Sequence, residues 1–223
     1  MKDKILYLQI FFLYLFIMES LLIHINNQPI NFKVTTVGID NRDQENIFKD
    51  NKKTLGYRLD KLLSKSKGRL REITQQQKDK YSEYLNLSLG EFLLKLKETN
   101  NDDYRLYLNK YGDKKFCNYH INEFGNSKGI YCYIVNDEIV YVGRSKMTFN
   151  ERFRDYGKIT PYKCLNDGQS TNCKINSKVN DIEKLKVGFY LMDNFSDKEI
   201  EVLEKEIINT LKETHNLWNH QLN

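Results

Sequence analysis

Two short β-rich runs, residues 129–135 and 138–142, are separated by Asn136-Asp137 alone. Asn and Asp are the residues a two-residue hairpin turn favours, so the runs are read as antiparallel neighbours. Behind them, Thr148-x-x-Glu151 opens a short helix and Ser196-x-x-Glu199 a long one reaching about Thr214, both as capping boxes. A helix near 172–182 and a strand near 186–192 lie between them. This order predicts an α+β domain, a small antiparallel sheet flanked by helices.

The N-terminal half has a different texture. Residues 21–25 and 32–37 read as strands around Asn26-Asn27-Gln28-Pro29. From 54 to 111 the pattern is mainly helical, with Leu55, Leu59, Leu62 and Leu63 in one stripe and a capping box at Ser88-x-x-Glu91. A polar, Gly-containing stretch at 118–128 marks a boundary, which sets an 18–125 region against a 126–223 domain. The apolar run at 5–17, preceded by Lys2 and Lys4, is shorter than the roughly 20 residues that span a bilayer. Translation starting at Met18 is the favoured reading, beside a buried helix and a membrane anchor or signal.

Charge excludes little. The 223 residues carry 35 Lys and Arg against 30 Asp and Glu, and a net +5 is too weak a bias to announce a nucleic-acid partner. The chain has no Ala, and Lys, Asn, Ile and Tyr have AT-rich codons, so lysine abundance is discounted. Distribution says more: 126–223 is neutral, whereas 49–80 holds 11 basic and 4 acidic residues, an excess that suits phosphate contacts on a helical arm. Four Cys in a chain this long are read as reduced, buried thiols. Cys117-x-x-His120 with Cys164, Cys173, His215 or His220 lacks the paired spacing of a zinc site.

Two charges sit where apolar residues belong. Phe149, Arg152, Phe153 and Tyr156 share one helical face, which puts a guanidinium between phenylalanines, either snorkelling or facing a cleft as an anion site. On the last helix, Glu204 falls within the stripe of Ile200, Leu203, Ile207, Ile208 and Leu211 and requires a cation, a metal or a proton. Glu201, Lys205 and Lys212 look like ordinary solvated charge.

These residues converge on a family resemblance. Gly129-Ile130-Tyr131, nine residues, then Tyr141-Val142-Gly143 resembles the signature of the GIY-YIG nucleases. Arg144 is similar to the basic residue that follows the second triplet, and Arg152 with Tyr156 to the family's Arg-bearing helix; Arg154, off the apolar face, is a weaker substitute. Leu203-Glu204-x-x-Ile207-Ile208 resembles the helix with the family's metal-binding Glu, and Leu217-Trp218-Asn219 its terminal Asn motif. The likeness covers 128–219. Within it, 167–176 resembles a stretch of some uncharacterised bacterial members, where Gln169, Thr171, Asn172 and Lys174 would contact bases or phosphates. Alternatively, Ser170 or Thr171 simply caps a helix.

The resemblance implies hydrolysis of phosphodiesters in double-stranded DNA. Glu204 would hold one hydrated Mg2+, with Mn2+ as a substitute, while Arg152 and Arg144 stabilise the phosphate. Tyr131 is expected as general base, its phenol depressed by neighbouring cations, with Tyr141 and Tyr156 orienting water or phosphate and Asn219 anchoring the last helix. A restriction-like, cytoplasmic enzyme without a stable membrane partner, monomeric or homodimeric, is the leading expectation. A homing or repair nuclease and a catalytically inactive DNA-binding protein are the rivals.

Overall fold

The computed structural model describes residues 19–219; the apolar run at 5–17 and His220 lie outside them. Its strands are β1 (Ser20–Ile25), β2 (Gln28–Gln44), β3 (Phe116–Ile121), β4 (Gly129–Val135), β5 (Glu138–Ser145) and β6 (Lys186–Leu191). Its helices are α1 (Leu55–Lys65), α2 (Gly68–Lys80), α3 (Leu89–Glu98), α4 (Phe149–Gly157), α5 (Ser170–Asn180) and α6 (Asp197–Leu211). The architecture is α+β.

Two compact units interleave along the chain. One comprises 19–40, 119–157 and 182–219; the other comprises 41–118 and 158–181. The single boundary read from sequence at 125/126 does not follow this division. The reason is burial: Ile159, Cys164, Leu165 and Cys173 join the same apolar core as Phe48, Leu55, Leu59, Phe92 and Leu93. Within that second unit the fully buried Asn176 stands in for a strand, its amide accepting from Cys117 N at 3.0 Å and donating to Cys117 O at 2.9 Å.

The first unit is built on an antiparallel sheet in the order β1-β2-β6-β4-β5, with β3 pairing β2 off this path. The N-terminal hairpin is therefore part of the same sheet, because β2 pairs with β6 from Lys33↔Phe189 to Thr36↔Lys186. Both hairpins turn on two residues of positive φ, Asn26-Asn27 (50° and 63°) and Asn136-Asp137 (51° and 63°), the backbone that matches strand twist. Gln28 and Pro29, expected in the first turn, are the first two residues of β2 instead.

Central strand β4 is covered on both faces. One face carries Ile130, Cys132 and Ile134, which pack with Val142, Ile139 and α6 residues Ile200, Ile207 and Leu211. The other carries Tyr131 and Tyr133 against Phe149, Phe153 and Tyr156 of α4. Both helices begin where their capping boxes predict: Ser196 and Thr148 each accept from the third residue on, and Glu199 and Glu151 reach back. Ser88 and Glu91 do the same for α3.

Candidate active site

Gly143 is the first link between the sheet and the site. A Cβ there would lie 2.4 Å from the Tyr131 hydroxyl, so the glycine on β5 makes room for the phenol across the ladder, where Tyr131 pairs with Gly143. Gly129, at φ 142° with Tyr190 O only 2.2 Å from a would-be Cβ, is a position for glycine on both counts. Both triplet glycines thus have a local steric explanation.

The buried phenols form one aromatic layer that ends in a cation. Tyr131 sits 5.2 Å from the Phe153 ring and 6.2 Å from Tyr141, centroid to centroid. Tyr141 and Tyr156 bring their hydroxyls to 3.4 Å. Arg152 lies over the Tyr156 ring, its guanidinium carbon 4.6 Å from the centroid, and its Nε donates to the Tyr131 hydroxyl at 3.4 Å. The misplaced Arg of the apolar face is therefore seated on aromatic groups with its far end directed to a cleft.

That cleft, of about 490 Å3, is lined by Arg144, Ser145, Lys146, Met147, Arg152 and Glu204. Ser145 is buried, and its hydroxyl donates to Met147 O at 2.7 Å, which shapes the turn leading from β5 into α4. Arg144 Nη1 donates to Glu204 Oε2, and Arg144 Nη2 lies 3.9 Å from Glu201 Oε2. Glu204, the misplaced acid of the last helix, has found a cation. Burial pushes its carboxyl above the ordinary range, and the Arg144 charge only partly offsets this.

The remaining expected residues fall into two groups. Asn219 closes the free edge of β5, accepting from Val142 N at 3.0 Å and donating to Val142 O at 2.8 Å. A bulge between Tyr133 and Ile134 leaves Val140 out of the β4 ladder, and its carbonyl accepts from Trp218 N at 2.6 Å. Gln169, Thr171, Asn172 and Lys174 belong to the second unit. There Gln169 and Thr171 are exposed, Lys174 is half-buried, and Asn172 is buried with its amide donating to Gln169 at 2.7 Å. The basic arm also loses one member: Arg58 is 4% exposed and forks onto both oxygens of Asp167 at 2.7 and 2.8 Å. Arg154 is exposed and does not line the cleft.

Tyr131 is fully buried, and burial, followed by the neighbouring phenols of Tyr156 and Tyr141, pushes its pKa well up, while Arg152 pulls the other way. Glu201 reads from the sequence as ordinary solvated charge. It lies one helical turn before Glu204, and i,i+3 spacing was the available signal. Glu201 is 22% exposed, approached by Lys205 at 2.9 Å, Lys146 at 3.6 Å and Lys198 at 4.0 Å. Its carboxyl is pulled down to about 2, first by the Lys205 hydrogen bond and then by the surrounding positive charge.

Comparisons with models of protein families, with curated proteins and with solved structures return no match to this chain. The site is judged on its own chemistry. Among the described residues no group of three or more His, Cys, Asp or Glu is placed to share a metal. Glu204 is the carboxylate that lines the cleft, and one such hard oxygen ligand fits Mg2+, which keeps several of its waters. Also among the described residues, no helix is long and apolar enough to cross a membrane.

Proposed function

We propose that this chain is a Mg2+-dependent endonuclease that hydrolyses phosphodiester bonds of double-stranded DNA, with a restriction-like role. The observation that carries the reading is one cleft lined by Arg144, Lys146 and Arg152 with a single lining carboxylate, Glu204. Three cations around one acid suit a phosphate and its developing negative charge better than a neutral substrate.

Glu204 would hold the cation through a carboxylate oxygen. Such an ion would supply Lewis-acid charge to the attacking water and to the phosphate. Arg152 binds and orients the scissile phosphate, kept on its aromatic seat by Tyr156 and Tyr131. Arg144 and Lys146 add charge on the opposite side of the phosphate. The water oxygen bonds to phosphorus as the bond to the 3′ oxygen breaks; the water gives up one proton to solvent and the 3′ oxygen takes one from solvent, leaving a 5′ phosphate and a 3′ hydroxyl. Tyr131 is assigned to positioning Arg152, with Tyr141 and Tyr156 completing the layer behind it. Gln169, Thr171 and Lys174 are candidates for phosphate or base contacts.

Supercoiled plasmid is the direct substrate for a test. The purified chain with Mg2+ or Mn2+ should nick or cleave it, chelation should stop the reaction, and Arg152→Ala should lose activity while keeping its circular-dichroism spectrum. Duplex DNA bound but left intact in both metals would contradict the enzymatic reading and favour a binding protein built on the same cleft.

A further inference from the structure

The cleft has a feature that the proposed reaction does not use. A single guanidinium, Arg144 at the end of β5, addresses two carboxylates one turn apart on α6: Glu204 directly and Glu201 at 3.9 Å through its other amino group. Resting on the reading above, we propose that Glu201 is a positioning residue that takes Arg144 off Glu204 and so makes the Glu204 carboxylate available to a divalent cation.

The argument is one of exclusive partners. While Arg144 donates to Glu204, a positively charged group already occupies that carboxylate, and a divalent cation on the same oxygens would repel the guanidinium. Arg144 must move before Glu204 can act as a ligand. A guanidinium released to bulk water loses a charge-assisted hydrogen bond, whereas one that pivots onto a carboxylate a turn away exchanges one for another. Glu201 stays charged for this purpose, because Lys205 at 2.9 Å, Lys146 at 3.6 Å and Lys198 at 4.0 Å surround it. The planar fork of Arg suits a hand-over between two acceptors, and Lys would not reach both at once. A displaced Arg144 also remains in the cleft, where a phosphate can claim it.

Glu201 would thus act through Arg144, and not as a ligand. A direct ligand or a general electrostatic effect predicts a different pattern of mutants, which a double-mutant cycle separates.

The experiment is a Mn2+ titration of the full-length protein without DNA, read by the electron paramagnetic resonance of free Mn2+. Glu201→Gln should weaken Mn2+ binding about tenfold, the low end of what supporting residues around metal ligands contribute. Arg144→Gln should tighten binding, and Arg144→Gln/Glu201→Gln should bind as Arg144→Gln alone does. Equal weakening by Glu201→Gln with and without Arg144 would overturn the proposal, as would no weakening at all or Mn2+ binding that Glu204→Gln leaves unchanged. Because no DNA is present, the two readings fail separately. The predicted cycle in a protein that leaves DNA intact defeats only the nuclease assignment, and DNA cleavage without the cycle defeats only the role of Glu201.

Discussion

Arg152 Nε reaches the hydroxyl of Tyr131 at 3.4 Å, so the phenol of the first triplet meets the cation of α4 inside the protein and not in solvent. The contact makes Tyr131 an acceptor that holds Arg152 in place. Tyr131→Phe should therefore retain the fold and leave a residual cleavage rate about 10–100-fold below wild type, as expected for loss of one supporting hydrogen bond to a charged group. The pH–rate profile should keep its shape. A basic limb that disappears in Tyr131→Phe would identify the tyrosine as the general base.

The buried phenols also set the alkaline limit of stability. Burial raises the pKa values of Tyr131, Tyr133 and Tyr141 above 10 in the folded protein. In the unfolded chain they titrate near 10. Raised folded values mean that their contribution is fully present below pH ~10 and is lost as pH climbs towards the folded values. Spectrophotometric titration of the 15 tyrosines should show an exposed class ionising first and a second class that ionises only with cooperative unfolding. One class titrating smoothly with the fold intact would contradict the burial.

Asn219 seals the β5 edge with two hydrogen bonds to Val142. Asn219→Ala removes both and exposes an unpaired strand edge, which should cost about 1–3 kcal/mol in urea unfolding. Amide exchange should rise at Val142 before it rises in β4. A stability change below about 0.5 kcal/mol, the range of ordinary surface substitutions, would argue against this role.

In the second unit, Arg58 depends on Asp167 and on Asn166 Oδ1 at 2.6 Å. Removing one partner of a fully buried pair costs about 3–5 kcal/mol. Asp167 is 37% exposed, so water moderates the loss, and Asp167→Ala should cost about 2 kcal/mol. Arg58→Lys should not rescue stability, because an ammonium cannot reproduce the fork. Thermal unfolding of the two variants checks both statements.

What could be read from the sequence was local or periodic. The two-residue turn at Asn136-Asp137 and the capping boxes at Ser88, Thr148 and Ser196 are encoded within a few residues, and each is present. Arg152 and Glu204 stood out because a charge broke an apolar stripe, and both line the cleft. Other features depend on partners far away in the chain. The commitment of 158–181 to the helical core needs Cys164 and Leu165 to meet Phe48 and Phe92, which no window of sequence displays. Arg58 looked like one more basic residue of the arm until Asp167, 109 positions on, accounted for it. Glu201 has Lys205 one turn on along its own helix, but its approach to Arg144 crosses to another element and is invisible in the sequence. Tyr131 falls on the strand expected for it, and its full burial follows from β6 and α4 together, which lie far off in the chain.

The central claim is that Glu204 gives the cleft its cation-dependent activity, and Glu204→Gln tests it most directly because the amide keeps shape while losing charge. Cleavage of supercoiled plasmid in Mg2+ should fall at least about 100-fold in Glu204→Gln, a loss of ~2.7 kcal/mol in transition-state stabilisation, with the thermal transition retained. Cleavage by Glu204→Gln at the wild-type rate would contradict the account.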